Sequence, residues 1–119
     1  MFARKISIHL KPNALAEFTT TFKQNVLPLL RKQTGFTDEI TFAATGSPDV
    51  LAISLWDTKQ NAEAYDRNGY KDVLKMLGSV IEGTPTVGTT EVLHSTFHDT
   101  RTAVPAAVAV PAPVAVPAA

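Results

Sequence analysis

The chain has 119 residues, room for one hydrophobic core, and its 11 Lys and Arg balance 11 Asp and Glu, so no net field draws it to polyanions or membrane surfaces. Cysteine is absent, which excludes disulfides, thiolate metal sites and cysteine nucleophiles. The N-terminal MFARKISIHLKP sets charges among short alternating apolar residues. It reads as neither a signal peptide nor a membrane span, and a cytoplasmic protein is expected.

From Phe2 to Leu10 the residues alternate, with Ile6, Ile8 and Leu10 on one face and Lys5, Ser7 and His9 on the other, which predicts a half-buried strand. Lys11-Pro12-Asn13 breaks it, and Asn13 is the expected helix cap. Leu15, Phe18, Phe22, Val26, Leu29 and Leu30 then recur at helical spacing. Pro28 within that stripe removes a backbone donor, so a kink is expected near Gln24. Gly35 suits the end of the helix.

A second strand is predicted over 36–44, with Phe36, Ile40 and Phe42 on one side, followed by turn residues 45–49. Val50 to Trp56 is apolar on both faces, as a central strand should be. Asp57 or Thr58 caps a second helical region, interrupted at Asn68-Gly69 and resumed by Tyr70, Val73, Leu74, Leu77, Val80 and Ile81. Val87 to Phe97 is the expected fourth strand. From 99 to 119 the composition turns to Ala, Val and Pro without large side chains, which predicts a flexible, polyproline-leaning tail. Residues 1–98 are therefore read as one domain. Its strand-helix-strand-strand-helix-strand order predicts a ferredoxin-like α+β fold, a four-stranded antiparallel sheet with both helices on one face.

Several chemistries have no anchor in the sequence. There is no G-x-S-x-G elbow, no phosphate loop and no dinucleotide-binding glycine pattern. The same fold order builds RNA-recognition domains, but ISIHL and VLAISLW lack the aromatic and basic residues that such strands present, so no nucleic-acid partner is expected. His94 and His98 would stand about 13 Å apart on a strand, too far to share one ion. His9 and His94 would face each other only if the first and last strands lie close, and further ligands would still be missing, so no metal is expected.

Val50-Leu51-Ala52-Ile53-Ser54-Leu55-Trp56-Asp57 runs into a polar helix carrying Ala64-Tyr65-Asp66-Arg67 and Tyr70-Lys71-Asp72-Val73-Leu74. Together with Leu27-Pro28-Leu29-Leu30, Gly35-Phe36 and the stretch Glu91 to Phe97, this pattern resembles the antibiotic biosynthesis monooxygenase family of dimeric α+β barrels. The resemblance spans residues 2–98. It implies a homodimer with a pocket between helices and sheet in each subunit. Some members of that family oxidise aromatic substrates without metal or flavin, and others degrade haem. In such members the strand Trp works with a strand Asn and a Tyr or His. Trp56 matches the Trp, while the position four residues earlier is Ala52.

The resemblance makes Trp56 and His94 the candidate catalytic residues, with Tyr65, Arg67, Tyr70 and His9 as candidate substrate contacts. The reading that follows is a cofactor-independent monooxygenase acting on a small aromatic substrate, with haem as an alternative ligand. The competing reading is a non-catalytic, ligand-binding or structural dimer, which Ala52 favours.

Overall fold

A computed structural model describes residues 1–97; His98 and the Ala/Val/Pro tail expected over 99–119 lie outside the described residues. The elements are β1 (Phe2–His9), α1 (Leu15–Thr21), a π-helical turn (Phe22–Val26), α2 (Leu27–Arg31), β2 (Phe36–Ala43), β3 (Asp49–Trp56), α3 (Lys59–Arg67), α4 (Tyr70–Leu77) and β4 (Thr86–Glu91). The sheet has the order β2-β3-β1-β4, and every neighbouring pair is antiparallel. This is the ferredoxin-like α+β arrangement, with β1 and β3 central as their apolar content requires.

Alternation places the two faces. Arg4 and Ile8 of β1 are buried beneath the helices, together with Val50, Ala52, Ser54 and Trp56 of β3. Leu51, Ile53 and Leu55 point the other way, where β2 adds Ile40 opposite Ile53 and Phe42 opposite Leu51. A bulge between Phe36 and Asp38 switches the alternation of β2. Phe36 therefore sits with Trp56 on the helix side, and Ile40 and Phe42 lie on the outer face rather than beside it. Phe42 is 52% exposed there.

The first helical stripe buries Phe18, Phe22, Val26 and Leu30 along one line. Pro28 disturbs it as expected, and the disturbance takes the form of the π-helical turn centred on Gln24, where the Leu27 N–H reaches back to the Phe22 carbonyl. Asn13 adopts a left-handed conformation (φ 60°) and Ala14 takes the cap position, so the cap expected from Asn13 is not made by its side chain. Thr58 does cap α3, its hydroxyl accepting from the Asn61 N–H at 3.1 Å. Gly35 has φ +83°, and a Cβ there would collide with the Asp57 and Asn61 side chains.

Two predicted elements end early. The stripe that began at Tyr70 leaves the helix at Leu77, and Val80 and Ile81 stay buried through a turn and a bridge from Ile81 to Leu10. β4 stops at Glu91, not Phe97. Its one partner, β1, begins at Phe2 directly opposite Glu91. Just beyond that point the Val92 N–H donates to the Met1 carbonyl at 3.0 Å. No helix among the described residues is long and apolar enough to cross a membrane.

Candidate functional site

Cross-strand register lines up the helix-facing side chains in rungs. One rung is aromatic: Phe2, Trp56 and Phe36 on adjacent strands. The next is polar: Thr89 of β4, Arg4 of β1, Ser54 of β3 and Glu39 of β2. Aliphatic and small residues follow, beginning with Ile6 and Ala52. A cavity of about 20 Å³, room for about one water, lies over the polar rung, with Arg4, Ser54 and Glu39 below and Tyr65 and Tyr70 above.

Arg4 is 1% exposed. Its Nη2 donates to Asp66 Oδ1 at 2.6 Å, and its guanidinium carbon stands 4.0 Å from the centre of the Tyr70 ring and 5.1 Å from that of Tyr65. Nε and Nη1 have no hydrogen-bond partner among the described residues. Each buried, unpaired polar group costs about 1–3 kcal/mol, which works against the ion pair to Asp66 and the contacts with the Tyr65 and Tyr70 rings.

The neighbouring groups are set to donate. Trp56, fully buried, gives its Nε1–H to Ser54 Oγ at 2.9 Å. With that oxygen already accepting, the Ser54 O–H hydrogen is free to turn to the cavity. Burial pushes the Tyr65 phenol far above its ordinary ionisation range, with Arg4 opposing. Burial raises Tyr70 as well, again against the pull of Arg4. Both rings thus stay neutral donors and do not serve as bases. Glu39 supplies the basic group: burial raises its carboxyl above the usual range, the 2.7 Å hydrogen bond from Thr41 lowers it, and Asp38 adds a smaller upward push.

Of the residues singled out in the sequence, Tyr65 and Tyr70 line the cavity. Trp56 lies behind it, packed edge-on to Phe36 at 5.6 Å and stacked on Tyr65 at 5.0 Å between ring centres. Arg67 is exposed on α3. His9 is exposed at the far end of β1, its Nδ1 2.9 Å from Asp49 Oδ1. His94 is exposed past the end of β4, close to the start of β1, so the two histidines do not face each other. No cluster of three or more metal-ligating side chains occurs among the described residues.

Arg4, Ser54 and Glu39 were not singled out. Arg4 was legible: it shares its parity with Ile6 and Ile8, a charge on the apolar face of a strand. Ser54 likewise falls between Ala52 and Trp56 on the buried face. Glu39 was hidden, because only the bulge turns it inward.

No protein-family model matches the sequence, and no curated protein matches it. Solved structures do share the fold. A Bordetella bronchiseptica protein provisionally named an antibiotic biosynthesis monooxygenase aligns with TM-score 0.65 and 18% identity, over 78% of this chain and 98% of that one. SnoaB, a cofactor-independent oxygenase from Streptomyces nogalater, aligns with TM-score 0.64 and 15% identity, over 80% and 95%. NE2512 of Nitrosomonas europaea, of unknown function, aligns with TM-score 0.63 and 18% identity, over 80% and 91%. The fold is that of the antibiotic biosynthesis monooxygenase structures, as the pattern around Trp56 implied.

Proposed function

We propose that this chain is a cofactor-independent monooxygenase acting on a small aromatic substrate held between the sheet and α3–α4. The observation that carries the reading is a raised, partly buried carboxyl, Glu39, on the same cross-strand rung as a buried and under-partnered cation, Arg4. The fold shared with a cofactor-independent oxygenase supports it. Glu39 takes a proton from an acidic ring carbon of the substrate. The resulting carbanion, its charge delocalised onto a ring oxygen within reach of Arg4 and the tyrosine hydroxyls, passes electrons to dioxygen. Two hydrogens leave one substrate carbon and an oxygen atom replaces them as a carbonyl. The other oxygen atom departs with both hydrogens as water.

In this reading Trp56 is a positioning residue that holds Ser54, and Ala52 leaves space where some relatives carry an amide. An aromatic substrate needs more room than the present cavity, so binding it requires the side chains of α3 and α4 that line the cavity to give way. Two copies pair through the outer sheet face, where exposed Phe42 and half-buried Ile40, Leu51 and Ile53 gather. Phe42→Lys is expected to convert a dimer to a monomer in sedimentation. A monomeric parent protein would end that part of the proposal.

Aerobic oxygen uptake with a panel of anthrones and quinols tests the chemistry. Glu39→Gln should lower uptake by about 100-fold or more, and Trp56→Phe by less. No uptake above a heat-inactivated control sinks the reading. The second reading, a ligand-binding dimer without catalysis, is favoured by the small cavity and by an indole N–H already committed to Ser54. Haem is disfavoured as a ligand, since neither His9 nor His94 reaches the cavity.

A further inference from the structure

We infer that Arg4 is the receptor for an anionic oxygen group, and that the ligand, which must enlarge the roughly 20 Å³ cavity to enter, is a flat aromatic acid bound through an ionised oxygen. The inference rests on the reading that this cavity binds a ligand, but not on any oxygen chemistry.

Three features converge. The guanidinium is almost completely buried, and two of its three nitrogens have no partner among the described residues. Asp66, which occupies the third, is itself 53% exposed, so the counter-charge lies at the protein surface and not in the cavity. Two donors of the cation are thus left without an acceptor, and buried charged donors favour an anionic acceptor over a water molecule. The other polar groups at hand, the Ser54 hydroxyl and the two neutral phenols, are also able to donate. Glu39 is the exception, and its raised carboxyl holds a proton more readily than an ordinary one.

The remainder of the ligand is set by the walls. Ile6, Ala52, Val73 and Leu77 surround the rung with apolar surface, and the Tyr65 and Tyr70 rings flank the cation. A planar apolar body with one anionic oxygen group answers both requirements. A carboxylate provides it directly; a phenol or enolisable ketone provides it after ionisation, and only the latter would be the oxygenase's substrate anion.

Trp56 is the single tryptophan, stacked on Tyr65, which in turn faces Arg4. Its fluorescence therefore reports on the site. Benzoate titrated against its neutral counterpart benzamide tests the carboxylate arm. An acidic nitrophenol, followed by its own absorbance below and above its ionisation, tests the phenolate arm. The folded wild-type protein should prefer at least one anion over its neutral form by about 10- to 100-fold. Arg4→Met should abolish that preference while remaining folded, and Arg4→Lys should retain part of it. Preference for benzoate assigns a carboxylate, and preference for nitrophenolate assigns an enolate-like oxygen.

Equal affinity for charged and neutral forms, absence of binding by all probes, or a preference surviving in Arg4→Met overturns the inference. Anion binding without oxygen uptake would overturn the monooxygenase reading and leave this one standing. Oxygen uptake without any anion preference would do the reverse.

Discussion

Two adjacent rungs of one sheet face have opposite character. In the aromatic rung Trp56 is fully buried, its ring is packed on both Phe36 and Tyr65, and its single polar group is hydrogen-bonded. One step along the strands, about 7 Å away, Arg4 is as deeply buried but has two nitrogens unpaired. Tyr65 packs on both side chains, so burial is not what separates Trp56 from Arg4. The difference is satisfaction: the first rung is complete as a core, whereas the second is complete only if something else occupies the cavity. Departures from the rules of a good core concentrate at sites that bind or react, and here the departure is confined to one rung.

The comparison breaks most visibly at Trp56. Trp56→Ala removes the ring from the centre of the aromatic contacts and should destabilise the domain by about 3–5 kcal/mol, measured by denaturant unfolding. A loss below about 1 kcal/mol would mean that the aromatic rung is not the structural one.

That contrast also explains what was legible in the sequence. Strands and helical stripes followed from spacing, because alternation and helical periodicity are set by burial on one face. Trp56 marks itself by closing an apolar strand, but its rung was only half legible, because the spacing groups Phe36 with Ile40 and Phe42 until the bulge turns it to Trp56. The polar rung was half legible. Arg4 and Ser54 carry the parity of buried residues, but a resemblance centred on Trp56 drew attention to tyrosines and histidines instead. Glu39 depended on the bulge after Phe36, and a one-residue shift of register has no periodic signature in so short a strand. The end of β4 was also out of reach, since it is set by where β1 begins and not by the composition of residues 92–97.

Next in size is Arg4→Met, which should turn the second rung into a copy of the first. It replaces a buried cation with unpaired donors by an apolar side chain of similar length, and it leaves behind only Asp66, whose side chain is half exposed. Removing one partner of a fully buried pair is destabilising, but Asp66 is half exposed and recovers its hydration. The loss of the Asp66 and ring contacts and the relief of two unpaired donors thus nearly offset. A little-changed thermal midpoint together with lost anion binding is therefore expected. If the variant is instead strongly destabilised, Arg4 holds the fold through its contacts with Asp66, Tyr65 and Tyr70, and the contrast between the rungs disappears.

The smallest effect is at Glu39, and its sign follows from burial. The carboxyl is raised in the folded protein, chiefly by burial, so the folded state favours its protonated form. The stability it contributes is full below the ordinary carboxylate range and is lost as pH rises through the raised value. Gln resembles the protonated carboxyl at every pH. Thermal midpoints of wild type and Glu39→Gln should therefore nearly coincide in acid and separate toward neutral pH, with the wild type falling below the variant. The partial exposure of Glu39 and the Thr41 hydrogen bond both limit the gap. A gap independent of pH would show that the carboxyl is not raised, and Glu39 would then lose its role as the base. A gap that opens with pH and widens further when benzoate, but not benzamide, is bound would place the bound anion beside Glu39, since a negative ligand next to that carboxyl raises it further.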